Sequence, residues 1–181
     1  AAIGCTATFE VPVGYEQHHV ADLSDVKAKV SIEVLDQRPE NERAHIKQAG
    51  MAKFVFERSP DEVLDDGLRA GLGANGVEVV DAHSQADVLL RVALTRYYYE
   101  VSKPGFDVIK RAILTGRGEV FRGGAGAPLA VVPISSTHEE VSSVAASGWP
   151  TDALNAVLAD AIDQWLIDPR LIDALRGAAR E

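Results

Sequence analysis

The segment from Asp87 to Val101 most constrains this fold, because it is long and rich in β-branched and aromatic residues. It contains Tyr97, Tyr98 and Tyr99 in a row, then meets the turn signal Lys103-Pro104-Gly105. Phe106 to Phe121 follows as a second strand-like stretch, broken near Gly116 and Gly118. Two such runs around one turn predict a long antiparallel hairpin. Gly123 to Pro128 is a glycine-rich loop, and Ala130 to Val144 has the polar alternation of a further strand. A sheet of this length has an apolar face that helices must cover.

The remaining pattern supplies those helices. Ser59-Pro60-Asp61-Glu62 is a helix start with Ser59 as cap, Pro60 at the first helical position and Glu62 completing a capping box. Leu64, Leu68 and Leu72 recur on one face, and Asn75-Gly76 is a stop. Pro150 to Leu166 is a second helix, with Leu154, Val157, Leu158, Ala161, Ile162 and Trp165 as its buried stripe. Trp149 just before it is a candidate staple against Ala153 or Leu154. Asp168-Pro169 opens a last short helix with Leu171, Ile172 and Leu175 inside.

Ahead of the hairpin, Val26 to Leu35 alternates with a period of two and ends before Pro39, as a strand with one buried face does. Glu40 to Gly50 reads as a loop with a short helical turn, and Lys53 to Glu57 and Val77 to Val80 read as short strands. Thr6 to Leu23 shows no sustained period and reads as an extended leader. The expected fold class is therefore α+β: a mainly antiparallel sheet, two principal helices packed on one face, and a short C-terminal helix. Residues 1–25 are expected to be tether, and residues 26–181 a single domain.

Charge and cysteine content narrow the function. Lys plus Arg is 18 against 27 for Asp plus Glu, a formal net charge of -9. That disfavours nucleic acid as a partner and disfavours a polybasic membrane patch. The one cysteine, Cys5, excludes an intrachain disulfide. It follows Ala2, Ile3 and Gly4; Ile3 and Gly4 fit the lipobox of a bacterial lipoprotein signal peptide, although Ala2 stands where Leu is commonest. Lipidation of Cys5 is the expectation, and normal processing would remove Ala1 to Gly4.

Catalytic signals are weak. Gly71-Leu72-Gly73-Ala74-Asn75-Gly76 matches GxGxxG, but it closes a helix and precedes a strand, the reverse of a dinucleotide site. Gly116 to Gly126 lacks the Gly-Lys-Ser/Thr of a phosphate loop. His18, His19, His45, His83 and His138 show no i, i+4 metal spacing, and Ser135, Ser136, Ser142 and Ser143 have no nucleophile-elbow context. Asp61, Glu62, Asp65 and Asp66 read mostly as a solvated helix face. The expectation is a non-enzyme with no metal and no cofactor. Tyr97, Tyr98 and Tyr99 remain as a candidate interaction surface, with cross-strand packing as the alternative.

Taken in order, the motifs resemble the YajG-like bacterial lipoproteins. Val30 to Arg38, ending Asp36-Gln37-Arg38, looks like that family's first strand with its Asp-X-Arg end. Leu64 to Val80 is similar to its helix, glycine stop and short strand. Ala86 to Val92 with the aromatic strand, and Ala153 to Ile162 with Asp168 and Leu175 beyond, fit as well. The polar stretch from Pro39 to Ser59 is longer here, and the loop from Gly123 to Pro128 is a departure. The resemblance implies a non-enzymatic envelope lipoprotein, anchored by an acylated Cys5 and facing the periplasm. Thr6, rather than Asp, after the cysteine implies the outer membrane. A structural or accessory role among envelope proteins, or self-association, follows. A ligand- or glycan-binding module built on Tyr97 to Tyr99 is the alternative.

Overall fold

The computed structural model describes residues 8–43, 53–102, 107–123, 126–142 and 150–178. Cys5, His45, Ser143 and Trp149 lie outside them. In chain order the elements are β1 (Thr8–Val11), β2 (Val30–Asp36), α1 (Glu40–Arg43), β3 (Lys53–Phe56), α2 (Pro60–Ala74), β4 (Val88–Ser102), β5 (Val108–Arg122), β6 (Ala130–Ser142), α3 (Pro150–Leu166) and α4 (Pro169–Ala178). The main sheet has the order β2-β4-β5-β6. The pairs β4–β5 and β5–β6 are antiparallel, and β2 joins β4 in parallel. Helices α2 and α3 pack together over one face of this sheet. The fold is α+β, as the pattern predicts.

The long hairpin contains a shift of parity that alternation alone does not reveal. Val88, Leu90, Val92 and Leu94 are buried as one set. The β4–β5 register then slips between Leu94 and Arg96, leaving Thr95 as an extra residue whose hydroxyl donates to the Thr115 carbonyl at 3.0 Å. Beyond this bulge the odd-numbered Tyr97 and Tyr99 take the buried positions. Across the sheet lie Gly118, Gly116, Leu114, Ala112 and Lys110 of β5, paired with Val132, Ile134, Ser136, His138 and Glu140 of β6.

On the opposite face two rows of alternating charge cross the strands. Arg91 of β4 bonds Glu33 of β2 at 2.7 Å and is in register with Glu119 of β5. Arg111 of β5 meets Glu139 of β6 at 2.5 Å and Glu100 of β4 at 3.5 Å. Opposite charges on neighbouring strands favour this register over a slipped one.

The glycine positions explain the close packing. At Gly118 a Cβ would overlap the Trp165 ring and would lie 3.0 Å from its Cε2. At Gly67 and Gly71 a Cβ would come within 2.7 Å of Ile162 Cδ1 and 2.9 Å of Leu166 Cδ1, so α2 and α3 meet along bare backbone. The expected stop of α2 is present: the Val77 N–H donates to the Leu72 carbonyl, the Gly76 N–H donates to that of Gly73, and Gly76 has φ +93°. The expected capping box is not formed. Ser59 makes no side-chain cap bond, and its carbonyl accepts the Val63 N–H at 3.1 Å. Val77 to Val80 contributes only an isolated bridge, Val79 to Val30.

The tether expected over residues 1–25 is corrected for its described part. From Thr8 onward the chain belongs to the domain, because β1 pairs in parallel with β3 in a two-stranded sheet and Val11 and Leu23 are buried. Between them the backbone straps across α2 and α3. Asn75, buried at the end of α2, accepts the N–H groups of Val20 and Ala21 at 3.0 and 2.6 Å and donates to the carbonyls of Gly71 and His18. On α3, Asp163 accepts the Tyr15 hydroxyl at 2.8 Å and faces His18 Nδ1 at 2.6 Å. Here Val11, Val13, Tyr15, Ala21 and Leu23 join the core without following any helix or strand period.

The strap carries a pH dependence. Hydrogen bonding and charge at Asp163 raise the His18 pKa above its ordinary 6.5. Burial and the Asp163 bond push Tyr15 up to about 12. Because the folded His18 pKa lies above its unfolded value, its contribution is complete below about pH 6.5 and is lost as pH rises through the folded value. Amide exchange of Tyr15 to Ala21 is therefore expected to quicken across that upper range beyond the intrinsic rate. In His18→Gln that additional, protection-dependent change is expected to be absent. An unchanged profile in the variant would count against the pair.

Candidate functional site

The three consecutive tyrosines occupy three different environments. Tyr97 is buried, its hydroxyl donates to the Leu154 carbonyl at 3.1 Å, and its ring stacks on Phe56 with centroids 5.3 Å apart. Burial holds its pKa far above the ordinary phenol value. Tyr98 is half-buried on the other side of the strand. Tyr99 is 2% exposed. An interaction surface made of all three is thus corrected: the Thr95 bulge turns Tyr97 and Tyr99 inward, and Tyr97 is held there by the Leu154 carbonyl of α3 and the Phe56 ring of β3.

Tyr99 does, however, line a cavity of about 280 Å³ with Lys110, His138, Glu140, Asp152, Ala153 and Ala156. The sheet register sets the wall. Tyr99 pairs with Ala112, which pairs with His138, and Lys110 pairs with Glu140 one step along. Asp152, Ala153 and Ala156 come from the first turns of α3. The floor and the rim differ in exposure. Lys110 is 7% exposed, whereas the Glu140 side chain is 54% exposed and Asp152 is exposed. Burial raises the Tyr99 pKa, and the Glu140 charge adds to the rise. Sequence reasoning missed Lys110, Glu140 and Asp152 as site residues. The available signal was Lys110 itself, a charged residue in the inward series Val108, Lys110, Ala112, Leu114.

Other sequence candidates are engaged structurally. The Ser136 hydroxyl donates to Asp160 at 2.5 Å and ties β6 to α3. His19 lies 3.0 Å from the Ala74 carbonyl, and His83 lies 3.0 Å from the Ser31 hydroxyl. The Asp36-X-Arg38 motif is a buried fork: Arg38 Nε and Nη2 donate to the two Asp36 oxygens, each at 2.9 Å. Its guanidinium lies 5.7 Å from the Phe56 ring centroid, which links β3 through Phe56 to Tyr97 of the main sheet.

These layers define the class as an α+β domain with the fold of a DUF330 protein. That protein is XCC0632 from Xanthomonas campestris, whose crystal structure is similar over 94% of this chain and 96% of that chain, with a TM-score of 0.61 and 10% identity. At that identity the likeness is one of fold. A minor lipoprotein from Acinetobacter baumannii is similar at 15% identity over 82% of this chain and 90% of its own, with a TM-score of 0.44. Lipoprotein GNA1162 from Neisseria meningitidis is similar at 14% identity over 76% and 96%, with a TM-score of 0.38. No family model and no curated protein matches the sequence.

Proposed function

We propose that this chain is the folded domain of a bacterial envelope lipoprotein. It is held at the outer membrane by an acylated Cys5, faces the periplasm, and acts without catalysis as an accessory subunit among envelope proteins. The observation that carries this reading is the nearness of Cys5 to the fold. Only Thr6 and Ala7 separate it from β1, which is hydrogen-bonded to β3. Three residue steps reach at most about 11 Å, so an acyl chain on Cys5 would keep the body within one short step of the bilayer. The lipobox-like residues before Cys5 and the non-acidic Thr6 after it support anchor and destination. Among the described residues no helix is long and apolar enough to cross a membrane.

The test uses cells making the full precursor. Globomycin is expected to retain a slower-migrating species, and Cys5→Ala is expected to move the protein from the outer-membrane fraction to the soluble one. Unchanged mobility with globomycin, together with unchanged fractionation of Cys5→Ala, would overturn the anchor.

A further inference from the structure

We propose that the Tyr99–Lys110 cavity is a binding site for a small zwitterion, an anionic oxygen group joined by a short link to an ammonium. This inference goes beyond the anchor and does not depend on it.

The floor of the cavity presents two donor side chains, Lys110 and Tyr99. Lys110 carries three N–H groups in a side chain that is 8% exposed, and its ion-pair partner among the described residues is Glu140 at 3.8 Å, beyond hydrogen-bond reach. The Tyr99 hydroxyl makes no hydrogen bond among the described residues. Both side chains are largely buried and line the same space, where an acceptor on a ligand would replace water. A carboxylate or phosphate oxygen placed between them would accept from both.

The rim has the opposite character. Glu140 and Asp152 bring two carboxylates to the exposed mouth, which disfavours a bare anion and favours a ligand with a trailing cation. Ala153 and Ala156 leave space for a short apolar link, and about 280 Å³ sits near the lower end of small-molecule pockets, which begin around 300 Å³. His138, on the same wall, adds a donor or acceptor according to its tautomer. The order is therefore oxyanion inward and ammonium outward. A free amino acid and the ethanolamine phosphate of a lipid headgroup share this chemistry.

Calorimetry on the full chain tests the site with β-alanine and O-phosphoethanolamine, against propionate and ethylammonium as single-charge probes. Vesicles of phosphatidylethanolamine against phosphatidylglycerol distinguish a lipid headgroup from a free ligand. Saturable binding of at least one zwitterion is expected, at least about tenfold tighter than either single-charge probe. Lys110→Met and Tyr99→Phe are each expected to weaken it, the first by about tenfold or more. Tyr99→Phe keeps the ring, and Glu140→Gln alters a half-exposed group, so these two report even where Lys110→Met unfolds. Glu140→Gln is expected to narrow the preference for the zwitterion over propionate. Propionate binding as tightly as the zwitterions, absence of any binding, or wild-type affinity in both Tyr99→Phe and Glu140→Gln would overturn the proposal.

Discussion

Asp36→Asn is expected to lower the unfolding free energy by about 3–5 kcal/mol, the cost of leaving a buried charge without its partner. The stranded group is Arg38, which is 2% exposed. It bonds both Asp36 oxygens at 2.9 Å, while its Nη1 is buried without a partner among the described residues. Asn offers one acceptor oxygen and no charge, so one arm of the fork is lost and a donor faces the other. Replacing both residues, as in Asp36→Leu with Arg38→Met, is expected to recover much of the loss, because an apolar pair has no charge to strand. Urea unfolding of the two variants checks this. A loss below about 1 kcal/mol in Asp36→Asn would mean that water reaches the guanidinium.

The same fork has an acid limit. Burial works to raise the Asp36 pKa, and the Arg38 hydrogen bonds and the nearby Arg43 charge outweigh it, so the folded value lies below the ordinary 3.8. Its contribution is therefore present above the ordinary carboxylate range and is lost as pH falls through the lower folded value.

Trp165→Ala is the second large effect, about 3–5 kcal/mol, from a fully buried ring whose space cannot refill. Trp165 of α3 lies directly over Gly118 of β5, where any side chain would enter the ring. The two positions are therefore coupled. Gly118→Ala is expected to destabilise the wild type by about 1–3 kcal/mol through overpacking, and to cost far less in the Trp165→Ala background, where the methyl has room. Trp165→Phe is expected to be milder than Trp165→Ala, since the indole Nε1 is itself buried without a partner among the described residues and its removal strands no acceptor there. Additive losses in the double variant would show that the two sites do not share this space.

The periodic elements were legible because their pattern is local. Pro150 to Leu166 matches α3 at both ends, and the hairpin strands match β4 and β5 within two residues. What stayed hidden depends on distant pairing. Thr95 looks like any strand residue, yet its bulge decides which tyrosines face inward. The parallel neighbours of β1 and β2 cannot be read from alternation, which reports a buried face and not a partner. The strap has no period because each of its contacts is made to a different element, Asn75 on one side and Asp163 on the other. The candidate cavity was legible only as Tyr99. Its charged members are brought together by the β5–β6 register and the first turn of α3.

The parallel pairing of β1 with β3 also has a mechanical meaning. A pull on Cys5 along the axis of β1 would load the four register pairs from Thr8–Lys53 to Val11–Phe56 together, in shear, instead of opening them one at a time. Behind them the strap adds a second set of bonds to α2 and α3 before any tension reaches β2. A domain built this way would resist extraction by a pull on its N-terminal strand.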